Sequence, residues 1–146
     1  MKINKYILFF LGAVLLVSCC NSVSKSPEID VDLVKIKYVG FFTIDTFMDI
    51  HCENFEWEFE KLYKEYVIED KNTIAELISI FNNFELLNPA YAGIDTRAKI
   101  EMYSKNDTLL CCIGDLTLFF QNTFYKTPKS LLDFIEKNDT SRIHKR

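Results

Sequence analysis

Length, composition and charge limit the classes to which this chain can belong. The 146 residues are enough for one domain, are 49% hydrophobic and 14% aromatic, and include 4 Gly and 3 Pro. These values exclude disordered, collagen-like and low-complexity chains. The formal charge is −4, but residues 19–146 hold 15 basic and 21 acidic side chains because Lys2 and Lys5 precede them. An acidic chain without a basic run lacks the clustered cations that bind phosphates, so no nucleic-acid partner is expected.

The first 18 residues have the three-part organisation of an export signal. Lys2 and Lys5 form a basic start, residues 6–17 are an unbroken apolar run, and a small polar boundary begins at Ser18. The apolar run is shorter than the roughly 20 residues that a membrane-spanning helix needs. The sequence therefore predicts a cleaved signal peptide over residues 1–18.

The end of this signal, Leu16-Val17-Ser18-Cys19, resembles the bacterial lipobox. The resemblance implies a lipid on the Cys19 thiol, cleavage before Cys19 and acylation of the new amine, which together anchor the protein firmly in a membrane. Position +2 is Cys20 rather than the aspartate that retains enterobacterial lipoproteins in the inner membrane, so the resemblance implies the periplasmic face of the outer membrane. The alternatives are a secretory signal cut near Ser18 or Cys20 without lipid, and a short retained anchor.

The rest of the chain divides into a tether, one domain and a tail. Residues 19–32 begin with the lipid-bearing cysteine, are rich in Ser and contain Pro27, which is typical of a flexible tether. Residues 33–139 form a single predicted domain, and the polar residues 140–146 form a tail. In overall composition the domain resembles small lipoproteins of unknown function from Bacteroidota, and this resemblance carries over no functional residues.

The first half of the domain predicts two paired strands followed by mixed structure. Alternating apolar residues indicate strands over Leu33–Ile44 and Thr46–Cys52, with a turn or bulge expected near Gly40 to Asp45. Residues 53–66 fit strand alternation and helical spacing equally well. The alternation of apolar and polar residues is interrupted after Cys52, which indicates that a new element begins there. This favours a short helix at 53–60 and then a strand at 62–68.

Two longer helices are predicted from apolar spacing and capping residues. Apolar residues at i, i+3, i+4 and i+7 indicate a helix over Thr73–Asn83, and Thr73 with Glu76 forms a capping box at its start. A last helix follows Thr127 as its cap, with Pro128 in the first helical position.

Short strands separated by turns fill the region between these helices. The predicted strands cover residues 94–103, 108–113, 116–120 and 123–125. Hairpin turns dominate this half, so the sequence predicts an α+β fold. We expect an antiparallel sheet of about five to six strands with two main helices packed on one face.

Four cysteines remain once Cys19 is assigned to the lipid. Cys111 and Cys112 are neighbours on a predicted strand and point to opposite faces, so at most one of them shares a face with Cys52. A Cys52–Cys111 or Cys52–Cys112 disulfide meets this condition in an oxidising compartment. Buried, unpaired cysteines that act as small apolar residues are the alternative. The absence of CxxC spacing argues against a redox or zinc motif.

Two pairs of charged or titratable residues are candidate sites. Asp95 and Arg97 lie on one predicted strand face, roughly 7 Å apart, which suits contact with an anionic group or a surface ion pair between the two. His51 adjoins Cys52, but neighbours on a strand face opposite ways, which argues against a Cys/His nucleophile pair. With two histidines in the chain, neither a metal site nor a cofactor is predicted.

Two aromatic doublets suggest a surface for a protein partner. On a strand, each doublet sends one ring to each face, so one ring of each pair is expected on the outside. The alternatives are that a loop or the tether covers these rings, or that a doublet lies in a turn. The doublets are Phe41-Phe42 and Phe119-Phe120.

Glutamates between residues 53 and 60 are interpreted as a solvated acidic face, because calcium-loop spacing is absent.

The leading functional hypothesis is a lipid-anchored, non-catalytic binding or interaction module in the periplasm, with an inhibitor or immunity protein as one specific form. Its acidic charge would steer a basic target towards it. Two hypotheses stay open beside it: a small cell-envelope hydrolase that uses carboxylates such as Asp95 or Glu58, and a structural subunit of an outer-membrane complex. The hydrolase predicts a pocket with convergent carboxylates of raised pKa, whereas the binding module predicts an exposed apolar strip.

Overall fold

A computed structural model describes residues 30–42, 46–88 and 93–139. The predicted signal peptide, the predicted lipidation site Cys19, most of the predicted tether and the predicted tail lie outside the described residues. Among the described residues, no helix has the length and apolar character required to cross a membrane.

Within the described residues, six strands form one antiparallel sheet in the order β2-β1-β3-β4-β5-β6. The strands are β1 (Leu33–Tyr38), β2 (Lys64–Ile68), β3 (Ala98–Tyr103), β4 (Thr108–Ile113), β5 (Thr117–Phe120) and β6 (Thr123–Lys126). The helices are α1 (Phe55–Phe59), which follows a 3₁₀ turn at Cys52–Asn54, α2 (Lys71–Phe81) and α3 (Lys129–Lys137). The predicted α+β fold is therefore confirmed.

The main core lies between one face of the sheet and the two longer helices. Alternate residues of each central strand point into it, as period-two alternation requires. Leu77 of α2 and Leu131 and Ile135 of α3 are fully buried against this face. The end of α3 is fixed by polar contacts as well, because the Tyr38 hydroxyl donates to the buried Asp139 carboxylate over 2.7 Å.

Both longer helices begin at different residues from those predicted. Helix α2 starts at Lys71, two residues earlier, because the Asp70 carboxylate accepts hydrogen bonds from the backbone N–H of Thr73 over 2.8 Å and from its hydroxyl over 2.7 Å. The predicted Thr73–Glu76 capping box was therefore wrong. Helix α3 has Pro128 as its N-cap residue, and the Thr127 hydroxyl donates instead to the Gly114 carbonyl over 2.9 Å.

The strand predicted at Thr46–Cys52 was also wrong. These residues have no regular structure before the 3₁₀ turn, and β1 pairs with β2 and β3 instead. Their alternation arises because Ile50 is buried against the sheet while the flanking Asp49 and His51 are exposed. The first strand ends at Tyr38, before the Phe41-Phe42 turn.

Gly114, in the turn between β4 and β5, provides a test of this packing. A Cβ atom there would lie 2.6 Å from the Asp95 carbonyl oxygen and 3.1 Å from that of Thr117. Both are backbone atoms, so neither can move without a shift of the main chain. We expect Gly114→Ala to lower the free energy of unfolding by about 1–3 kcal/mol, as overpacking does.

Gly93→Ala is the matched control, because its Cβ would meet the Asp49 carboxylate at an ordinary 3.7 Å. That variant should stay within about 0.5 kcal/mol of the parent protein. Urea titration of the three proteins measures both effects, and equal midpoints for the two variants would contradict the described turn.

Candidate functional site

A segment of chain folds over the sheet face opposite α2 and α3, here called the outer face. We call residues 46–63 the covering segment. Phe55 and Phe59 of α1 pack with Ile50 and Val39 in a small second core beneath this segment. The Ile50 carbonyl also accepts a hydrogen bond from the Thr96 N–H over 2.8 Å. The outer face is therefore partly buried under a short helix that the sequence pattern predicted as helix 53–60.

A disulfide joins the covering segment to the centre of the sheet. Cys52 pairs with Cys112 on β4, with 5.8 Å between their Cα atoms. Of the two pairings that the sequence left open, the structure selects the one on the outer face. Cys111 points into the main core and has no disulfide partner among the described residues. Burial raises the pKa of the Cys111 thiol, as expected for an unreactive core cysteine.

A carboxylate from α1 bridges two lysines of the sheet. Glu56 Oε1 lies 2.9 Å from the Nζ atoms of both Lys37 and Lys99, and Oε2 lies 3.0 Å from Lys99 Nζ. Partial burial raises the pKa of the Glu56 carboxyl, but the hydrogen bonds from the two lysines outweigh this effect and lower it to about 2. Burial likewise opposes the charge on Lys37, but Glu56 and Glu101 raise the pKa of this lysine above its usual value.

The structure places Asp95 and Arg97 together just before β3, where they bind each other. Arg97 is 4% exposed, and its Nη2 donates to the Asp95 carboxylate and, over 3.1 Å, to the Thr46 hydroxyl. Its guanidinium also lies 5.8 Å from the centre of the Phe59 ring. Asp95 Oδ1 accepts the Ile50 N–H over 3.0 Å. The pair therefore braces the covering segment, and the guanidinium is enclosed instead of being open to an external anion.

The two aromatic doublets have different environments. Phe41 is buried and stacks on Tyr38 with 6.1 Å between ring centres, whereas Phe42 is exposed in a turn. On β5, Phe120 packs in the core and Phe119 lies on the outer face, 4.8 Å from the Phe124 ring. Each doublet does send one ring outward, but the first does so from a turn instead of a strand.

A groove of about 410 Å³ lies on the outer face beside the disulfide. Its lining includes Leu110, Phe119, Lys99, Glu53 and Gln121 as well as the two bridged cysteines. Lys99 in this groove is already paired with the bridging carboxylate of α1, so its charge is neutralised locally.

Four of the exposed apolar side chains belong to segments that meet at the end of the sheet where β1 and β4 finish. We call Phe42, Phe47, Met48 and Leu116 the distal patch. Their exposure ranges from 69% for Phe42 to full exposure for Phe47. The backbone nitrogen of Phe42 lies 3.3 Å from both Asp115 carboxylate oxygens. This contact places the turn that follows β1 next to the β4–β5 turn.

A shallow depression of about 330 Å³ adjoins the distal patch at Leu116. Three aspartates line it together with a glycine, a leucine and a threonine: Asp49, Asp95, Asp115, Gly93, Leu116 and Thr117. Among the residues that the structure describes, no three acidic, histidine or cysteine side chains are close enough to hold a metal ion. With three aspartates in its lining, the depression is acidic, and it lies beside apolar side chains.

Sequence reasoning found part of this surface and missed the rest. Phe42, Asp95 and the disulfide residues were named, but Phe47, Met48 and Leu116 were assigned to strands. The Gly114-Asp115 turn is a signal for Leu116, because connecting segments run over the protein surface, and it gives no information about Phe47 and Met48.

Comparison with known proteins adds no assignment. No protein-family model matches the chain, and neither curated proteins nor solved structures show significant similarity to it.

The Glu56 bridge has a predicted effect on stability and its pH dependence. Glu56→Gln leaves the two largely buried lysines without their shared counter-charge, so we expect the free energy of unfolding at pH 7 to fall by about 1–2 kcal/mol after allowance for solvent screening. A carboxyl whose pKa falls from 4.5 to about 2 on folding stabilises the fold above pH 4.5. The difference between parent and variant should therefore shrink as the pH falls from 4.5 towards 2.

Glu58→Gln is the matched control for this change. Glu58 is exposed on the same helix, so its replacement should change stability by less than about 0.5 kcal/mol. Denaturant titration at several pH values gives both results. A constant gap between the parent protein and Glu56→Gln across this pH range would contradict the proposed bridge.

Proposed function

We propose that this protein is a lipid-anchored protein of the cell envelope, held at the periplasmic face of the outer membrane. Its domain acts as a non-catalytic binding module, and its binding surface is the distal patch. The observation that carries this proposal is the exposure of four large apolar side chains at one end of the sheet.

Anchoring outside the cytoplasm has support from two independent parts of the chain. The first is the lipobox-like Leu16-Val17-Ser18-Cys19 after an apolar run. The second is the Cys52–Cys112 disulfide, since structural disulfides persist mainly in oxidising compartments such as the periplasm.

Binding at the distal patch has support from its position. The described chain begins at Asp30, and the Asp32 N–H donates to the Tyr103 carbonyl at the opposite end of β1 and β3. The six residues of β1 separate that end from the distal end by about 20 Å. A domain tethered at one end can therefore present the other to a partner.

The contacts of the candidate carboxylates support the hydrolase hypothesis less well. Asp95 is occupied by Arg97 and the Ile50 N–H, and Glu58 is exposed on α1. The most perturbed carboxyl is that of Glu56, whose pKa is lowered, whereas a general acid needs a raised value.

The anchor is tested on full-length protein recovered from membranes of its native host. Intact-mass analysis should find a mature chain that begins at Cys19 and carries diacylglyceryl and amide-linked acyl groups. Cys19→Ala should accumulate as the uncleaved precursor, whereas the matched Cys20→Ala variant should be processed and acylated. A mature chain with an unmodified Cys19 would refute the anchor.

The binding surface is tested in the same cells with a photoreactive benzoylphenylalanine in place of Phe47. We expect a crosslink to another protein from this position and none from Leu86, an exposed control residue beside β6. A crosslink from position 47 to lipid, to a second copy or to residues 140–146 of the same chain would contradict the proposal.

A further inference from the structure

We infer that the distal patch docks a protein that presents a lysine or arginine side chain between apolar side chains, with the cation entering the depression among Asp49, Asp95 and Asp115. This inference rests on the proposed function, since it names the partner chemistry of the same surface.

The apolar half of the surface is built from three separate parts of the chain. Phe42 follows β1, Phe47 and Met48 belong to the covering segment, and Leu116 lies in the β4–β5 turn. Single exposed apolar residues are common on proteins, but a cluster of large ones more often marks an interaction site. Phe and Met, which make up three of the four patch residues, are enriched at protein interfaces.

The polar half of the surface is negatively charged. Arg97 neutralises Asp95 from within the fold, which leaves Asp49 and Asp115 to act outwards, and none of the residues lining the depression is basic. The charge of the depression thus complements a cationic side chain on the surface of another protein. Opposite charges at an interface steer association and select partners. Because no described group of three acidic, histidine or cysteine side chains suits a metal ion, a side-chain cation fits better than a bound metal.

The conformation of Phe42 favours a preformed surface. Its φ angle is +54°, a left-handed conformation that is costly for a bulky residue. Such conformations persist where the surroundings impose them, and here the Asp115 carboxylate accepts the Phe42 N–H. One acidic residue of the depression therefore also holds an aromatic residue of the patch in place.

Charge and position favour a protein over a lipid surface as the occupant. Asp49 and Asp115 would be repelled by the anionic headgroups of a bilayer. The patch also lies at the end of β1 away from Asp30, where the chain leads back to the tether.

The test selects ligands from a phage-displayed library of random 16-residue peptides on the full-length protein in detergent micelles. We expect enrichment of peptides that carry lysine or arginine next to aromatic or aliphatic residues. The double variant Phe47→Ser/Leu116→Ser and the single variant Asp49→Lys should each weaken binding of a selected peptide at least about tenfold. Leu86→Ser, a similarly exposed control at 68%, should leave it within about twofold.

Enrichment of neutral or acidic peptides, no enrichment, or equal binding by Asp49→Lys would overturn the inference. Selection on purified protein does not depend on acylation. A successful selection with an unmodified Cys19 would therefore refute the anchor alone, and a failed selection with an acylated Cys19 would refute this partner chemistry alone.

Discussion

The disulfide between Cys52 and Cys112 is the contact on which the outer face depends. The covering segment has little regular structure of its own, and a helix of five residues is not stable in isolation. A crosslink between residues 60 positions apart stabilises the fold by about 4 kcal/mol in the chain-entropy account. It also brings Glu56 to Lys37 and Lys99, so that one covalent bond and one bridging carboxylate hold the segment together.

The distal patch is linked to the same constraint. Phe47 and Met48 precede Cys52 in the covering segment, and the Asp95–Arg97 pair holds the start of that segment through Thr46 and the Ile50 N–H. Asp95 also contributes to the acidic depression. The contacts that bury one part of the covering segment therefore position the exposed part beside the β4–β5 turn.

The sheet and its two main helices follow from the sequence because one side of each element is buried. Strands such as β3 alternate between core and outer face, and α2 repeats its apolar residues with helical spacing. The wrong prediction of a strand at Thr46–Cys52 has a clear physical cause. A loop that lies on a sheet with Ile50 inward and its neighbours outward shows the alternation of a strand without strand pairing.

The candidate site was less accessible to sequence reasoning. Neighbouring cysteines on a strand must face opposite ways, which reduced the disulfide to two pairings, but only the tertiary path of the covering segment decides between Cys111 and Cys112. The grouping of Phe42 with Leu116 depends on contacts between residues about 70 positions apart, such as that of Asp115 with the Phe42 N–H. Periodicity within one segment carries no information about such contacts.

Hydrogen exchange of the full-length protein, followed by mass spectrometry with and without a reductant, tests the central role of the disulfide most directly. Reduction should accelerate amide exchange in residues 46–59 while β3 and β4 stay protected. Cys111→Ala should respond in the same way, and in Cys52→Ser the reductant should have no further effect. Unchanged exchange in residues 46–59 on reduction, or simultaneous loss of protection across the whole sheet, would contradict the account.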